Sequence, residues 1–439
     1  MILPLGASAQ EKISLQRAIE LVLQNNLQIK QARLSEALSE ETLSQSKYDL
    51  YPSLNGSSST NYSVGRSFDQ LSGQLVEKGI TSMSTGVNTS VTLFQGFQKI
   101  NQIAQNKFEL EADKSNTARI KNDLMLSVVT TYLQILSNQD VVEAAKQQLS
   151  ISQQQLDREQ KFFDVGEKTL ADLSQSKAQV ANAELNLTDA QNQLDLSFLN
   201  LSQLLELDPA IPFEVVPPPI DEAGRITDYS AREVFAQSLT NYPEVQFQEF
   251  RRLSSEKAID IAKGNYYPRL TLGGNLGTGY SSSRQQYVPG TNPPVFERIN
   301  FADQLDENIN RSVGLTLSIP IFNGFQARSS VRRAKIGLQN AEIAVQLAKN
   351  NLNKIINQAV YDLRAAEKRY NSAKSAFESS RDAFSAIEQR YGVGLVNSLD
   401  FNQAQTNLNR AQFDMIQARY DVIFRKKVID FYLGNPLTF

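Results

Sequence analysis

Between residues 82 and 94 apolar and polar positions alternate without a break. Met83, Thr85, Val87, Thr89, Val91 and Leu93 fall on one side; Ser82, Ser84, Gly86, Asn88, Ser90 and Thr92 fall on the other. Residues 308–322 repeat the pattern, with Ile309, Val313, Leu315, Leu317, Ile319 and Ile321 opposed to Asn308, Asn310, Ser312, Gly314, Thr316 and Ser318. Residues 53–64 and 269–281 alternate likewise, with Leu54, Tyr62, Leu270, Leu272, Leu276 and Tyr280 on the apolar side. A period of two marks a strand, so strands are expected over 53–66, 82–95, 269–284 and 308–322, paired by polar loops near 67–81 and 285–306. An apolar face backed by Ser, Asn, Thr and Gly is the pattern of a transmembrane β-barrel with a wet lumen. A soluble sheet packed on a helix would carry the same alternation. Arg311 lies on the apolar face, which suits lipid only near the membrane surface, where a long side chain can snorkel.

After each second strand the period changes. "VTLFQGFQ" ends at Gln98 and "LSIPIFNGFQ" at Gln326, and a helix-forming sequence follows each. Residues 97–165 contain neither Gly nor Pro, and Gly337 is the single one between Phe325 and Tyr391. Such lengths exceed those of globular helices and predict coiled-coil-like rods over 97–163 and 325–390, each about 100 Å long. In the second rod, Ala327, Val331, Ala334, Leu338, Ala341, Val345, Ala348, Leu352, Ile355 and Ala359 follow a 4-3 spacing. The seam slips by one and resumes at Leu363, Ala366, Tyr370, Ala373, Phe377, Phe384, Ile387 and Tyr391, a stutter that relaxes a left-handed supercoil. The first rod is less apolar, with Lys99, Asn106 and Asp113 in its seam.

The chain does everything twice. Phe94 lines up with Phe322, Gly96 with Gly324, "DVGEKTLADL" (164–173) with "GVGLVNSLDF" (392–401), and Leu205 with Leu433, all 228 residues apart. Tyr51-Pro52 matches Tyr267-Pro268. Two structural repeats, 13–207 and 229–434, are therefore expected. Each reads helix, strand, loop, strand, rod, tip turn (164–168, 391–397) and return helix (169–207, 398–433). A linker over 208–228 joins them, held extended by its five prolines. Residues 1–12 read as a signal-peptide remnant or an ordinary tail, because Ala7-Ser8-Ala9 has the small-x-small form of a cleavage site. Residues 435–439 form a C-terminal tail.

Four strands cannot close, and an open edge in lipid leaves backbone groups unpaired at several kcal/mol each. More than one copy is required. Two copies give eight strands with a filled interior; three give twelve, the smallest closed set here that leaves a pore. Composition narrows the chemistry. The 439 residues include no His and no Cys, which removes disulfides, thiol catalysis and the usual zinc and copper ligand sets. The net charge of −3 and the lack of a basic run argue against nucleic acid. No paired-carboxylate or Ser-Lys motif points to an enzyme, and no cofactor or metal site is expected.

The "YP-x-L" strand entries at 51–54 and 267–270, "IPIFNGF" at 319–325, and the "VG" turns at 165–166 and 393–394 with Asp172 and Asp400 resemble the TolC-like outer-membrane efflux family over about residues 13–434. The first junction departs from the pattern: "TLFQGF" has Leu93 where the second has Ile321, and it lacks the preceding Pro. The resemblance implies a mixed fold of α-helix and transmembrane β-strand. A homotrimer would form a 12-stranded β-barrel in outer-membrane lipid, continuous with a periplasmic α-helical barrel. It implies an exit duct of a tripartite efflux or type I secretion system, served by a periplasmic adaptor and an inner-membrane transporter of RND or ABC type. A soluble coiled-coil scaffold is the alternative reading of the same rods.

Three groups of residues are candidates for function. Gly96, Pro320 and Gly324 sit at the strand-to-helix junctions, where Pro lacks a ladder donor and Gly permits a φ that others avoid. Phe94, Phe97, Phe322, Phe325, Tyr51, Tyr266 and Tyr267 flank them as an interfacial belt or as ordinary core. Val165, Gly166, Glu167, Lys168, Thr169, Val393, Gly394, Leu395, Val396 and Asn397 form the tip turns, which the resemblance places against the adaptor. Asp157, Asp164, Arg381, Asp382, Glu388 and Arg390 lie near those turns and are candidates for a periplasmic gate, because threefold symmetry turns one charge into a ring. Asp382, beside Arg381, is the chosen ring residue.

Overall fold

The computed structural model describes residues 11–69, 73–77, 79–217, 229–290, 292 and 295–435. The expected cleavage site, residues 218–228 of the linker and the tail beyond Asn435 lie outside them. In chain order the elements are β1 (Glu11–Ile13), α1 (Leu15–Asn25), α2 (Leu27–Tyr48), β2 (Ser53–Ser63), β3 (Arg66–Asp69), β4 (Gln74–Glu77), β5 (Ile80–Gln95), α3 (Gln98–Asp164) and α4 (Leu170–Leu205). Then follow β6 (Phe213–Val215), α5 (Ala231–Asn241), α6 (Pro243–Lys263), β7 (Arg269–Ser281), β8 (Gln285–Tyr287), β9 (Phe296–Arg298), α7 (Phe301–Glu307), β10 (Asn310–Ser318), α8 (Gln326–Gly392) and α9 (Ser398–Tyr432). The two rods, α3 and α8, are each 67 residues long. The expected polar loops carry structure of their own: β3 pairs with β4, β8 with β9, and α7 fills the rest of the second loop.

The chain divides into two compact units. One comprises residues 37–112 and 249–343 and is built on a four-stranded antiparallel sheet of order β10–β7–β5–β2. Opposed residues share a face, so the register assigns the faces directly. Leu317 lies opposite Leu270 and Leu315 opposite Leu272; Leu272 also opposes Val91, and Leu276 opposes Val87 and Arg311. The other face carries Thr316 opposite Thr271, Asn88 opposite Asn275 and Asn55 opposite Asn88. The expected strand 308–322 is shorter, so Asn308, Ile309, Ile319 and Ile321 lie outside β10. The alternation read from the sequence survives wherever the ladders run, with one exception. A bulge between Thr92 and Phe94 sets Phe94 opposite Leu270, so Leu93 is the extra residue rather than the next apolar position. The two edge strands are solvent-exposed along almost their whole length, Ser63 alone being half-buried.

The other unit comprises the described residues of 1–36, 113–248 and 344–439. Its first core gathers Val128, Tyr132 and Ile135 of α3, Leu201 and Leu205 of α4 and Ile416 and Ile423 of α9 under α1. The Tyr132 hydroxyl donates to the carbonyls of Ile13 (2.9 Å) and Val216 (2.6 Å) and so ties down the parallel pair β1–β6. Residues 11 and 12, expected in a loose tail, belong to this pair, and the linker contributes its other strand. A second core sets Leu352, Ile356, Val360 and Leu363 of α8 against Val234 and Val245 and against Val422 and Ile429 of α9. Ile356 is fully buried where the 4-3 spacing had placed Ile355, so the seam shifts one turn before the expected stutter.

Candidate functional site

Both junctions turn on a pair of left-handed residues. Gly96 (φ 54°) is followed by Phe97 (φ 61°), and Gly324 (φ 58°) by Phe325 (φ 62°). A left-handed residue with a Cβ costs about 1–2 kcal/mol. Each Phe sets its ring edge-on against the aromatic three residues earlier, Phe94–Phe97 at 5.4 Å and Phe322–Phe325 at 5.6 Å, a contact worth about 0.5–1.5 kcal/mol. β10 ends at Ser318, two residues before Pro320, whereas β5, with Thr92 at the equivalent position, stays paired with β7 as far as Gln95. Within each repeat the pairing ends at equivalent residues, Ser90 in the first and Ser318 in the second. Of the expected aromatic belt, Tyr51, Phe97, Tyr266, Tyr267, Phe322 and Phe325 are exposed and Phe94 is half-buried.

The rods end in two equivalent turns. Glu167 N–H donates to Phe162 and Gly166 N–H to Phe163; Leu395 donates to Arg390 and Gly394 to Tyr391. This bonding satisfies the last helix carbonyls and needs a left-handed residue at Gly166 (φ 80°) and Gly394 (φ 76°). Thr169 then caps α4 through a reciprocal box with Asp172, and the Asn397 side chain caps α9 by accepting from Asp400 N–H at 2.8 Å. Val165 (70% exposed), Val393 (72%) and Leu395 (70%) point into solvent, an apolar fringe with no intrachain reason to be there. Glu167, Thr169 and Asn397 are exposed too, whereas Lys168 and Val396 are turned into the hairpins.

The expected gate charges lie on the surface, and only Arg381 and Asp382 meet among themselves. Asp157, Asp164, Glu388 and Arg390 are exposed, and Asp164 accepts from Gln160 at 2.8 Å. Arg381 and Asp382 meet at 3.6 Å, both well exposed. The structure instead gathers Lys168, Asp172 and Tyr391 around Glu159, which the sequence did not single out. Glu159 is fully buried at the end of α3. Its Oε1 accepts from Gln155 Nε2 at 3.0 Å and from the Tyr391 hydroxyl of α8, and lies 3.8 Å from Lys168 Nζ. Tyr391 stacks on Phe401 of α9 at 4.6 Å, and Lys168 sits over its ring. Beside them the Ser398 hydroxyl donates to Asp172 at 2.8 Å. Burial pushes the Glu159 carboxyl up, Lys168 pulls against it, and Asp172 adds to the rise. Hydrogen bonds from Thr169 and Ser398 hold Asp172 below the ordinary range. This cluster fastens the α3–α4 hairpin to the α8–α9 hairpin.

The family profile of the outer membrane efflux proteins matches residues 18–206 and 234–435. The chain belongs to the outer membrane efflux protein family. The outer membrane efflux protein BepC of Brucella suis biovar 1 is 21% identical over 391 residues, covering 89% of this chain and 78% of BepC. A membrane protein from Pseudomonas aeruginosa shares the fold with a TM-score of 0.80 at 18% identity, covering 96% of this chain and 90% of that one. The outer membrane protein VceC from Vibrio cholerae does so with a TM-score of 0.78 at 17% identity, covering 96% of both. As a member of this family the protein is an outer-membrane efflux channel component that extends into the periplasm, and its class is transport rather than catalysis.

One signal could have found the buried cluster. Gln148, Ser152, Gln155 and Glu159 recur at a 4-3-4 spacing along α3, and all four are buried. Glu159 falls in the seam, so its partner had to be sought on a neighbouring helix.

Proposed function

We propose that three copies of this chain close into a twelve-stranded barrel in the outer membrane and form the exit duct of a tripartite efflux or type I secretion system. The observation that carries this reading is the four-stranded sheet, with one face of Leu, Val and Tyr, one of Ser, Asn, Thr and Gly, and two exposed edge strands. In lipid such edges must be paired, and the polar face supplies a water-filled lumen that need not select its cargo. The rods and return helices of the three copies would line a periplasmic tunnel. The adaptor would meet the apolar fringe at Val165, Val393 and Leu395, with Gly166, Glu167, Lys168, Thr169, Gly394, Val396 and Asn397 shaping the turns. Asp157, Asp164, Arg381, Asp382, Glu388 and Arg390 would ring the periplasmic mouth. Substrate arrives from an inner-membrane pump and moves passively outward.

The test is direct. Purified protein reconstituted in planar bilayers should give ion-conducting steps, and the mature chain should fractionate with outer membrane and need detergent. Gly394→Leu should abolish export in cells while leaving assembly and insertion intact. A chain that stays in the soluble fraction and never conducts would instead be the coiled-coil scaffold.

A further inference from the structure

Two offsets relate the repeats. Tyr51-Pro52 recurs 216 residues later at Tyr267-Pro268, and Gly96 recurs 228 residues later at Gly324. The first offset carries the opening strand of each repeat, β2 to β7; the second carries the closing strand, β5 to β10. The pairing inside each repeat tests both offsets at once. Ser53 lies opposite Ser90 in the first repeat, and the offsets send that pair to Arg269 opposite Ser318, which is the register of the second. The two repeats therefore pair identically, residue for residue.

Among the described residues, strand pairing between the repeats occurs once. β5 runs antiparallel to β7, with Val87 opposite Leu276 and Thr89 opposite Gly274. Its equivalent would join β10 to β2, but these are the two outer strands of the sheet. The junction beside β5 shows what accompanies the pairing. A Cβ on Gly96 would lie 2.5 Å from the Gly264 carbonyl and 2.9 Å from Tyr267 Cβ, so that glycine is pressed against the first strand's entry. Gln98 Nε2 then donates to the Ile261 carbonyl (3.0 Å) and to Asn265 Oδ1 (2.9 Å). The same offsets turn this set into Gly324 and Gln326 on one side, and Tyr48, Tyr51, the Gln45 carbonyl and Asp49 on the other. Gly324 has nothing within 4 Å of its Cβ position, Gln326 is exposed, and so are Tyr48, Asp49 and Tyr51.

We propose that these are the two halves of the interface between copies. β10 of one copy pairs antiparallel with β2 of the next in the register carried over from β5–β7, and Gln326 clamps onto Asp49 of that next copy. Leu317 falls opposite Ser58, Leu315 opposite Thr60 and Val313 opposite Tyr62. Thr316 falls opposite Ser59 and Gly314 opposite Asn61. Every pair keeps its face, whereas a slip of one residue would turn the whole of β2 inside out. Pro320 takes the place of Thr92 and Ile321 that of the bulged Leu93. The proposal rests on the trimeric reading above and adds its register.

The chain has no Cys, so introduced pairs report cleanly. The double variant Leu317→Cys, Ser58→Cys, solubilised in detergent and oxidised, should yield covalent species up to three chains on a non-reducing gel. Leu317→Cys with Thr60→Cys, two residues out on the same face, should yield none, because diagonal neighbours lie about 7–8 Å apart and disulfides need under about 7 Å. Val313→Cys with Tyr62→Cys is a second matched pair should the first fold poorly. Gln326→Ala should shift trimer dissociation to lower temperature. A trimer that cross-links through the slipped pair, or through none, overturns the register and leaves the trimer standing. A parent particle of one chain would remove the trimeric reading itself, and the register with it.

Discussion

Gly96 and the tip turns both bring the two repeats into contact inside the chain, whereas Gly324, with the same backbone turn as Gly96, meets nothing. At the tips, Glu159 and Gln155 of the first repeat hold Tyr391 of the second, and Asp172 holds Ser398. In the sheet unit, one junction is packed, and its equivalent shows exposed Gln326, Phe322 and Phe325 beside an exposed strand edge. The sheet ends in two exposed outer strands, while the tips are fastened to each other within the chain.

The largest effect expected is at the two glycines. Gly96→Ala drives a Cβ into the Gly264 backbone and should abolish folding of the sheet unit, read as loss of β-signal and of membrane insertion. Gly324→Ala in a single chain should cost only the left-handed strain, about 1–2 kcal/mol. If a neighbour fills that space, the same change should sharply lower trimer yield with β-signal kept. Equal, mild behaviour of both variants would break the contrast between the junctions.

Next comes Tyr391→Phe. It takes a donor from the buried Glu159 carboxylate, a loss of about 1–3 kcal/mol. Hydrogen exchange at the tips should rise and bilayer conductance increase, with trimer stability unchanged. Coupled loss of the trimer would show that the two regions are not separable.

The pH dependence is smaller. Glu159 titrates above its ordinary value of 4.5, so its contribution is full below that value and is lost as pH rises through the raised one. Asp172 titrates below 3.8, so its contribution is present above that value and is lost as pH falls through the lowered one. Exchange protection of the tips should therefore grow on mild acidification from neutrality and collapse only below the ordinary carboxylate range. Glu159→Gln should abolish the growth. A flat profile in the parent protein would remove Glu159 from the fastening.

The smallest effect belongs to the exposed charges. Arg381 and Asp382 form a pair of the kind worth about 0.2–1 kcal/mol. Asp382→Ala should change cation block of single-channel conductance with little change in tip exchange. Unchanged conductance and block would remove Arg381 and Asp382 from the gate.

The sheet was legible because alternation over 82–92 and 310–318 survives pairing; the register differs at Leu93, the bulged residue, and at the ends of 308–322, which stay unpaired. The Gly-Phe dipeptide, repeated at both junctions, marked the left-handed turn. Asp382 attracted notice because it sits beside an opposite charge in the sequence, while Glu159 lies within "DREQKFFD" like any surface carboxylate. Only the 4-3-4 spacing back to Gln148 marks it as a seam position, and its partner Tyr391 lies 232 residues away in the chain.

The account's central claim is that the open sheet is completed by further copies of the same chain. Native mass measurement of the detergent-solubilised protein tests it most directly. It should give a protein mass close to three times 49.0 kDa, with no free single chain. A stable particle of one chain that keeps its full β-signal would contradict it.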